Sequence, residues 1–397
     1  MALQAAFTLN PNEIFASIAN MIISQEVFAD NLGKHQTLVD KARVDGGLYG
    51  DKKLYYATDV LKSHVWGADS EASNLLSLDR PADPEVQDIT LDVFRQIRLT
   101  VDNYLSKRAW STEGAFSQFN SVMLGWMRET KRVYDGTLYN CFIGATETST
   151  GKQIVNIDLG TGSGHPLYNL SGVEKEQMEA MLIAQGLADL LVAMGDYSRD
   201  FNDYQFLRSY AEDGIKVVWN AKFINKIRKV DLPTIFHKEG LVEKFEEEVL
   251  PERYFGVRIT SANVASYSDS TPAAGKPIDS DDHSYVPGVG HANGCIRSMV
   301  EKDVTVSATA YHVFPGDEIP AGATIVAGGN FELGEVYIEQ ADVICKVLVK
   351  LPPLMSAFEV GTSFFNPRSL TENHYLTFGH NTLEYLKNYP FITVKAA

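Results

Sequence analysis

Ten consecutive residues carry the clearest chemical signature in this chain: Val155-Asn156-Ile157-Asp158-Leu159-Gly160-Thr161-Gly162-Ser163-Gly164. A strand that ends in a carboxylate and opens into a glycine loop lets backbone amides approach a bound cofactor. A helix starting there adds the positive end of its dipole. A second group, His283, His291 and Cys295 with Asp279, Asp281 and Asp282, has the ligand types of a metal site. Its spacing fits no standard zinc or calcium loop, and a polar loop is the simpler reading. Glu246-Glu247-Glu248 reads as the solvated face of a helix, and His237 beside Lys238 and Glu239 as a helix start. Met178, Met181 and Met194 read as core. The chain has neither a Gly-x-Ser-x-Gly elbow nor a phosphate loop. The residues by themselves therefore predict no catalytic, cofactor-binding or metal-binding site.

The glycine loop resembles the first motif of S-adenosylmethionine-dependent methyltransferases, and that activity is the alternative expectation. The elements around it oppose the resemblance. His165-Pro166 follows the loop, and the next helical pattern starts only near Val173. Residues 174–195 are helical in pattern where that family needs a second strand ending in an acidic residue. The 150 residues upstream match such a domain poorly. The loop reads as a connector leaving a strand.

Bulk properties narrow the classes further. The chain has 397 residues, 45% apolar and 22% charged, which suits a soluble protein of two or three domains. A net charge of −16 without a Lys/Arg-rich tract argues against nucleic-acid binding as the main activity. Cys141, Cys295 and Cys345 are scattered and imply no disulfide framework, so a reducing compartment fits. No basic leader opens the chain, and no run is expected to reach the roughly 20 apolar residues of a membrane span.

Along the chain, Asn12 to Asn31 has amphipathic helical spacing through Ile14, Phe15, Ile18, Met21 and Ile22. Leu54 to Tyr56 is strand-like, and Gly67 to Pro84 reads as an exposed tip. Ile89, Leu91 and Val93, then Ile97, Leu99 and Val101, alternate at period two and predict a long two-stranded ribbon. Such a ribbon needs something to pack on. Residues 111–145 predict one long helix with a stripe through Phe116, Phe119, Met123, Trp126 (or Met127) and Val133, despite Gly114, Gly125 and Gly136. A strand is expected over 152–159 and a helix, buried on much of its surface, over 173–195. The block from Gly214 to Thr260 predicts a compact α/β unit. It has a strand at Ile215, Val217 and Val218, a helix with Phe223, Ile224 and Ile227 on one face, and a second, acidic helix through Leu241, Val242, Phe245 and Val249. Tyr254 to Ile259 returns as a strand. Residues 262–342 read as a β-rich insertion with strand signals at Val304–Val306, Tyr311–Phe314, Thr324–Val326 and Val336–Ile338. Strands at Val343–Leu351, Tyr375–Phe378 and Phe391–Val394 close the chain.

This order of parts resembles the major capsid proteins of tailed bacteriophages with the Hong Kong 97 (HK97) fold, and within them the phi29-like group of short-tailed phages. Ser111 to Ala145, with Tyr134-Asp135-Gly136-Thr137-Leu138-Tyr139 near its end, is similar to the spine helix. Lys152 to Leu159 resembles the strand after it, and Asp213 to Thr260 the central-domain strand and helix pair. Leu351 to Lys395 resembles the closing segment, where Phe365-Asn366-Pro367-Arg368 precedes Asn373-His374-Tyr375-Leu376-Thr377-Phe378. The likeness covers roughly 40–260 and 343–397. The insertion at 262–342 departs from it.

The resemblance implies an α+β fold with an N-terminal arm (1–45), an extended β-ribbon (46–110), a peripheral domain with the spine helix (111–172) and an axial domain (173–261). The insertion (262–342) and closing strands of both domains (343–397) complete it. It implies a non-enzymatic structural subunit that self-assembles into pentamers and hexamers of an icosahedral or elongated shell around double-stranded DNA. Expected partners are other copies of the chain, a separate scaffolding protein, a portal and the packaged DNA without sequence-specific binding, with no membrane, cofactor or metal. The implied location is the virion, assembled in the host cytoplasm. By the same resemblance, neither an immunoglobulin-like C-terminal extension nor a coiled coil before the arm is expected, so the arm need not be cut away.

Overall fold

The computed structural model describes residues 37–46, 52–63, 78, 80–102, 113–146, 153–229, 246–262, 295–320, 323 and 331–397. In chain order the elements are α1 (Thr37–Ala42), β1 (Arg43–Asp45), β2 (Lys52–Ala57), β3 (Glu85–Asp102), α2 (Glu113–Gly144), β4 (Ile154–Ile157), α3 (Gly172–Gly195), β5 (Lys216–Asn220), α4 (Ala221–Lys229), β6 (Glu246–Leu250) and β7 (Gly256–Arg258). They continue with β8 (Ile296–Ser298), β9 (Lys302–Val306), β10 (Thr309–Val313), β11 (Val336–Glu339), β12 (Val343–Leu348), β13 (Leu354–Asn366), β14 (Thr371–Asn381) and β15 (Phe391–Ala396). The chain divides into two compact units, one of Met1–Lys52, Thr90–Asn140 and Pro353–Leu383, the other of Lys53–Ile89, Cys141–Pro352 and Glu384–Ala397.

In the first unit the strands follow the order β1-β13-β14-β3. β14 pairs antiparallel with both β13 and β3, so Val93, Ile97 and Leu99 lie opposite His380, Leu376 and His374 on one face. Helix α2 covers that face. Its Tyr134 ring lies 5.8 Å from Phe378, its hydroxyl is 2.9 Å from His380 Nε2, and the Arg95 guanidinium sits 5.0 Å over the Tyr134 ring. The opposite face is polar and exposed, with Gln96 bonded to Thr377 at 3.1 Å and Thr100 to Asn373 at 2.7 Å. Lys131 and Asp135 of α2 are buried and paired at 3.2 Å. Glu359 lies 3.4 Å from Lys131, and Arg43 lies 3.2 Å from Asp135. A buried charge persists only when it is paired in this way.

The second unit is built on a mixed sheet of order β4-β15-β12-β5-β6. Ala180, Ile183, Leu187, Leu190, Leu191 and Met194 recur at three- and four-residue spacing along α3. They pack into one core with Val217, Trp219, Ile344, Val347, Ile392 and Val394. A smaller sheet, β7-β11-β8, and the β9–β10 hairpin enclose a second core around Phe331, Val304 and Ile338. The end of α2 joins this region where Ala145 bridges Gly256. A side chain on Gly144 would collide with the Tyr254 carbonyl, which is why glycine stands there.

Several sequence expectations change. The period-two alternation from Ile89 to Val101 belongs to one continuous strand, β3, whose long partner is β14 from the other end of the chain. Glu246-Glu247-Glu248 is not a helix face: it begins β6, paired parallel with β5. The free backbone edge of β5 selects a strand there over the helical spacing. Leu241, Val242 and Phe245 lie outside the described residues, as does the Ile227 side chain. Strand β13, Leu354–Asn366, stands between the strands that the pattern predicts at Val343–Leu351 and Tyr375–Phe378. Helix α3 is buried along one stripe only, and Val192 on its other side is 72% exposed. Against expectation, α3 is long and apolar enough by length and composition to cross a membrane; its stripe instead packs on the β5-β12-β15 sheet. The helix over 113–144 runs through Gly125 and Gly136, and β4, β5, α4, β9, β10, β11, β12, β14 and β15 fall where the pattern placed elements.

Candidate functional site

The glycine loop was the strongest chemical candidate, and its geometry is that of a connector. Strand β4 is at the edge of its sheet. The Asp158 carboxylate accepts the Gly160 amide at 2.9 Å and lies 3.6 Å from His165 Nε2, so the loop folds onto its own acid. His165 N–H donates to Gly162 at 3.0 Å, and Tyr168 N–H to His165 at 2.9 Å. These turns carry the chain to α3, which starts at Gly172. A cofactor cradle needs the loop to open directly onto a helix N-terminus, and this one does not.

The other candidates do not converge. His283, His291, Asp279, Asp281 and Asp282 lie outside the described residues, as do His237 and the Asn12 to Asn31 segment. Among the described residues no three His, Cys, Asp or Glu side chains form a metal-binding group. Cys141 is buried, and burial pushes its thiol up to about 12; burial also raises Cys345 and Cys295. A nucleophilic cysteine needs the opposite shift. Met194 is core as expected, and Met181 is exposed.

The surface offers more. Two adjacent phenylalanines near the end of β13, Phe364 and Phe365, are 61% and 48% exposed, and Leu370 across the turn is 43% exposed. Leu370 holds φ +55°, a left-handed conformation unusual for leucine. On the α2 side of the sheet an open groove of about 680 Å³ runs past Met127, Arg128, Glu359, Ser363, His374 and Leu376. Grouped exposed apolar residues of this kind mark contact surfaces more often than scattered ones do. The sequence signal for this tip was Asn366-Pro367-Arg368-Ser369, turn chemistry between two aromatic runs.

The backbone as a whole matches chains in solved phage particles. A chain in the capsid structure of Staphylococcus phage Andhra aligns with TM-score 0.54 at 10% identity, over 90% of this chain and 83% of that one. The fold is a phage capsid fold. A chain in the structure of the head fiber and inner core protein gp22 of native bacteriophage P68 aligns with TM-score 0.55 at 9% identity, over 90% of this chain and 84% of that one. The expected α+β class with an HK97-like capsid fold is therefore met. No protein-family model matches the chain, and no curated protein matches it.

Proposed function

We propose that this chain is the major capsid protein of a tailed bacteriophage, a structural subunit without catalytic activity. The observation that carries the reading is the fold shared with a phage capsid chain over nine-tenths of the sequence. The surface supports it. Strand β3 runs 18 residues with most of its central part only half-buried, and the β13–β14 hairpin ends in exposed phenylalanines. Such extensions have little core of their own and gain stability from neighbours.

In this reading copies join by heterologous contacts that close into pentamers and hexamers. The capsomers form an icosahedral or elongated head around double-stranded DNA, with a separate scaffolding protein and a portal as partners. The chain then resides in the virion after assembly in the host cytoplasm. Its parts would be the arm (1–45), extended ribbon (46–110), peripheral domain (111–172), axial domain (173–261), insertion (262–342) and closing strands (343–397). The phi29-like likeness and the absence of site residues belong to the same proposal. Negative-stain electron microscopy of the chain co-expressed with scaffolding and portal proteins tests it. Closed shells are expected, and a strict monomer under those conditions overturns the reading.

A further inference from the structure

The 27 residues between β2 and β3, 58–84, belong to the second unit, and both of their ends, the legs Thr58–Asp59 and the start of β3, are held there. One loop, Asp196–Tyr210, bonds the first end directly and is linked to the second through Tyr385 and Lys387. The loop is itself well braced. Ser198 and Arg208 exchange two backbone bonds of 2.9 and 3.0 Å, and the buried Asn202 side chain bonds both the N–H and the carbonyl of Phe206 at 2.8 Å. The Tyr210 amide is tied to Met194 at the end of α3 at 2.9 Å.

The two legs are held by different chemistry. At the first, Arg199 Nη1 lies 2.7 Å from Asp59 Oδ2, the Leu207 amide donates to Asp59 Oδ1 at 3.0 Å, and Arg208 donates to the Thr58 carbonyl. These contacts are charged and lie at the surface. At the second, the Gln87 side chain, 6% exposed, donates to the Tyr385 carbonyl at 2.9 Å and accepts the Lys387 amide at 3.0 Å. Tyr385 in turn donates its hydroxyl to Asp203 of the loop, and the Asp203 amide donates to the Lys387 carbonyl at 2.9 Å. Gln153 bonds Asp203 as well, and its carbonyl oxygen accepts the Phe391 amide at 3.0 Å.

We infer that the Asp196–Tyr210 loop is an anchor with unequal legs: the Gln87 leg is a fixed root, and the Thr58–Asp59 leg is a releasable ionic latch. Surface charge contacts weaken with salt and yield to competing charges, whereas the bonds of the buried Gln87 and Gln153 amides to backbone do so far less. Protonation is a poor trigger, because the Arg199 and Leu207 bonds hold the Asp59 carboxyl down at about 2. A competing charged group is the trigger this geometry fits. When the latch opens, Thr58 and Asp59 come free of the loop while Gln87 keeps its bonds to Tyr385 and Lys387.

Amide hydrogen exchange on the full chain tests this. In Asp59→Ala the Leu207 amide loses a charged acceptor and is expected to exchange about tenfold faster or more. The amides of Lys387 and Phe391 are expected to keep their wild-type rates. Raising salt to about 1 M in the wild-type chain shortens electrostatic reach to roughly 3 Å and is expected to reproduce the same asymmetry in milder form. The salt arm needs no substitution, so it decides the matter even where the variant folds poorly. Unchanged Leu207 exchange in high salt, or equal acceleration at Leu207, Lys387 and Phe391, overturns the inference.

Discussion

Asp135→Ala is the most informative single change in the first unit. Asp135 is nearly inaccessible and holds two cations, Lys131 and Arg43, each at 3.2 Å. Removing it affects the two cations unequally. Arg43 is one-third exposed and can turn toward Asp40, already 4.0 Å away. Lys131 is buried and keeps Glu359 at 3.4 Å, a carboxylate that is itself partly solvated, and the face of the Phe378 ring at 5.4 Å. Leaving one member of a buried pair without its main partner costs about 3–5 kcal/mol. Lys131→Met is milder, because Asp135 keeps Arg43 and the methionine fills the same volume; the lost charged hydrogen bond costs about 1.5 kcal/mol. The double variant Lys131→Met/Asp135→Leu removes both buried charges and is expected to be more stable than Asp135→Ala alone. Urea denaturation of the unassembled chain, with the slope checked for constancy, measures all three. An Asp135→Ala loss under about 1 kcal/mol, or a double variant less stable than that single one, refutes the reasoning.

Two further outcomes are expected. Gly125→Ala, in open space on α2, gains up to about 1 kcal/mol from helix propensity; Gly144→Ala on the same helix meets the Tyr254 carbonyl and loses about 1–3 kcal/mol from overpacking. Thermal melts of the two variants side by side read the opposite signs. The Asp59 carboxyl is depressed from 3.8 to about 2 by its Arg199 and Leu207 bonds. Its stabilising contribution is therefore fully present above pH 3.8 and lost as pH falls through about 2. An NMR titration of Asp59 is expected to show that depressed midpoint in wild type and a rise toward the ordinary value in Arg199→Gln.

Local pattern made much of this fold legible. The stripe at Ala180, Ile183, Leu187 and Met194 is helical in any context, and the apolar run Val343–Leu348 is a strand too buried to be anything else. The pattern failed where long-range pairing decides conformation. Glu246–Leu250 carries helical spacing with the residues before it, yet β5 supplies a backbone edge that a helix cannot use. The alternation from Ile89 to Val101 shows a strand but says nothing of its partner, which lies some 280 residues away in β14. The glycine loop reads as a connector from its neighbours in the chain, but the place of β4 at a sheet edge is not local and is visible only in the fold.

The sequence alone determined the order of long helix, α/β centre and closing strands, and the acidic, cysteine-poor character of the chain. Those properties follow from composition and from periods of two and 3.6 residues, which each segment carries by itself. Tertiary structure decided which edges meet, which charges are buried, and how the two ends of the 58–84 segment are held. Those depend on contacts between residues far apart in the chain, such as Gln87 with Lys387 and Asp59 with Arg199, which no local spacing encodes.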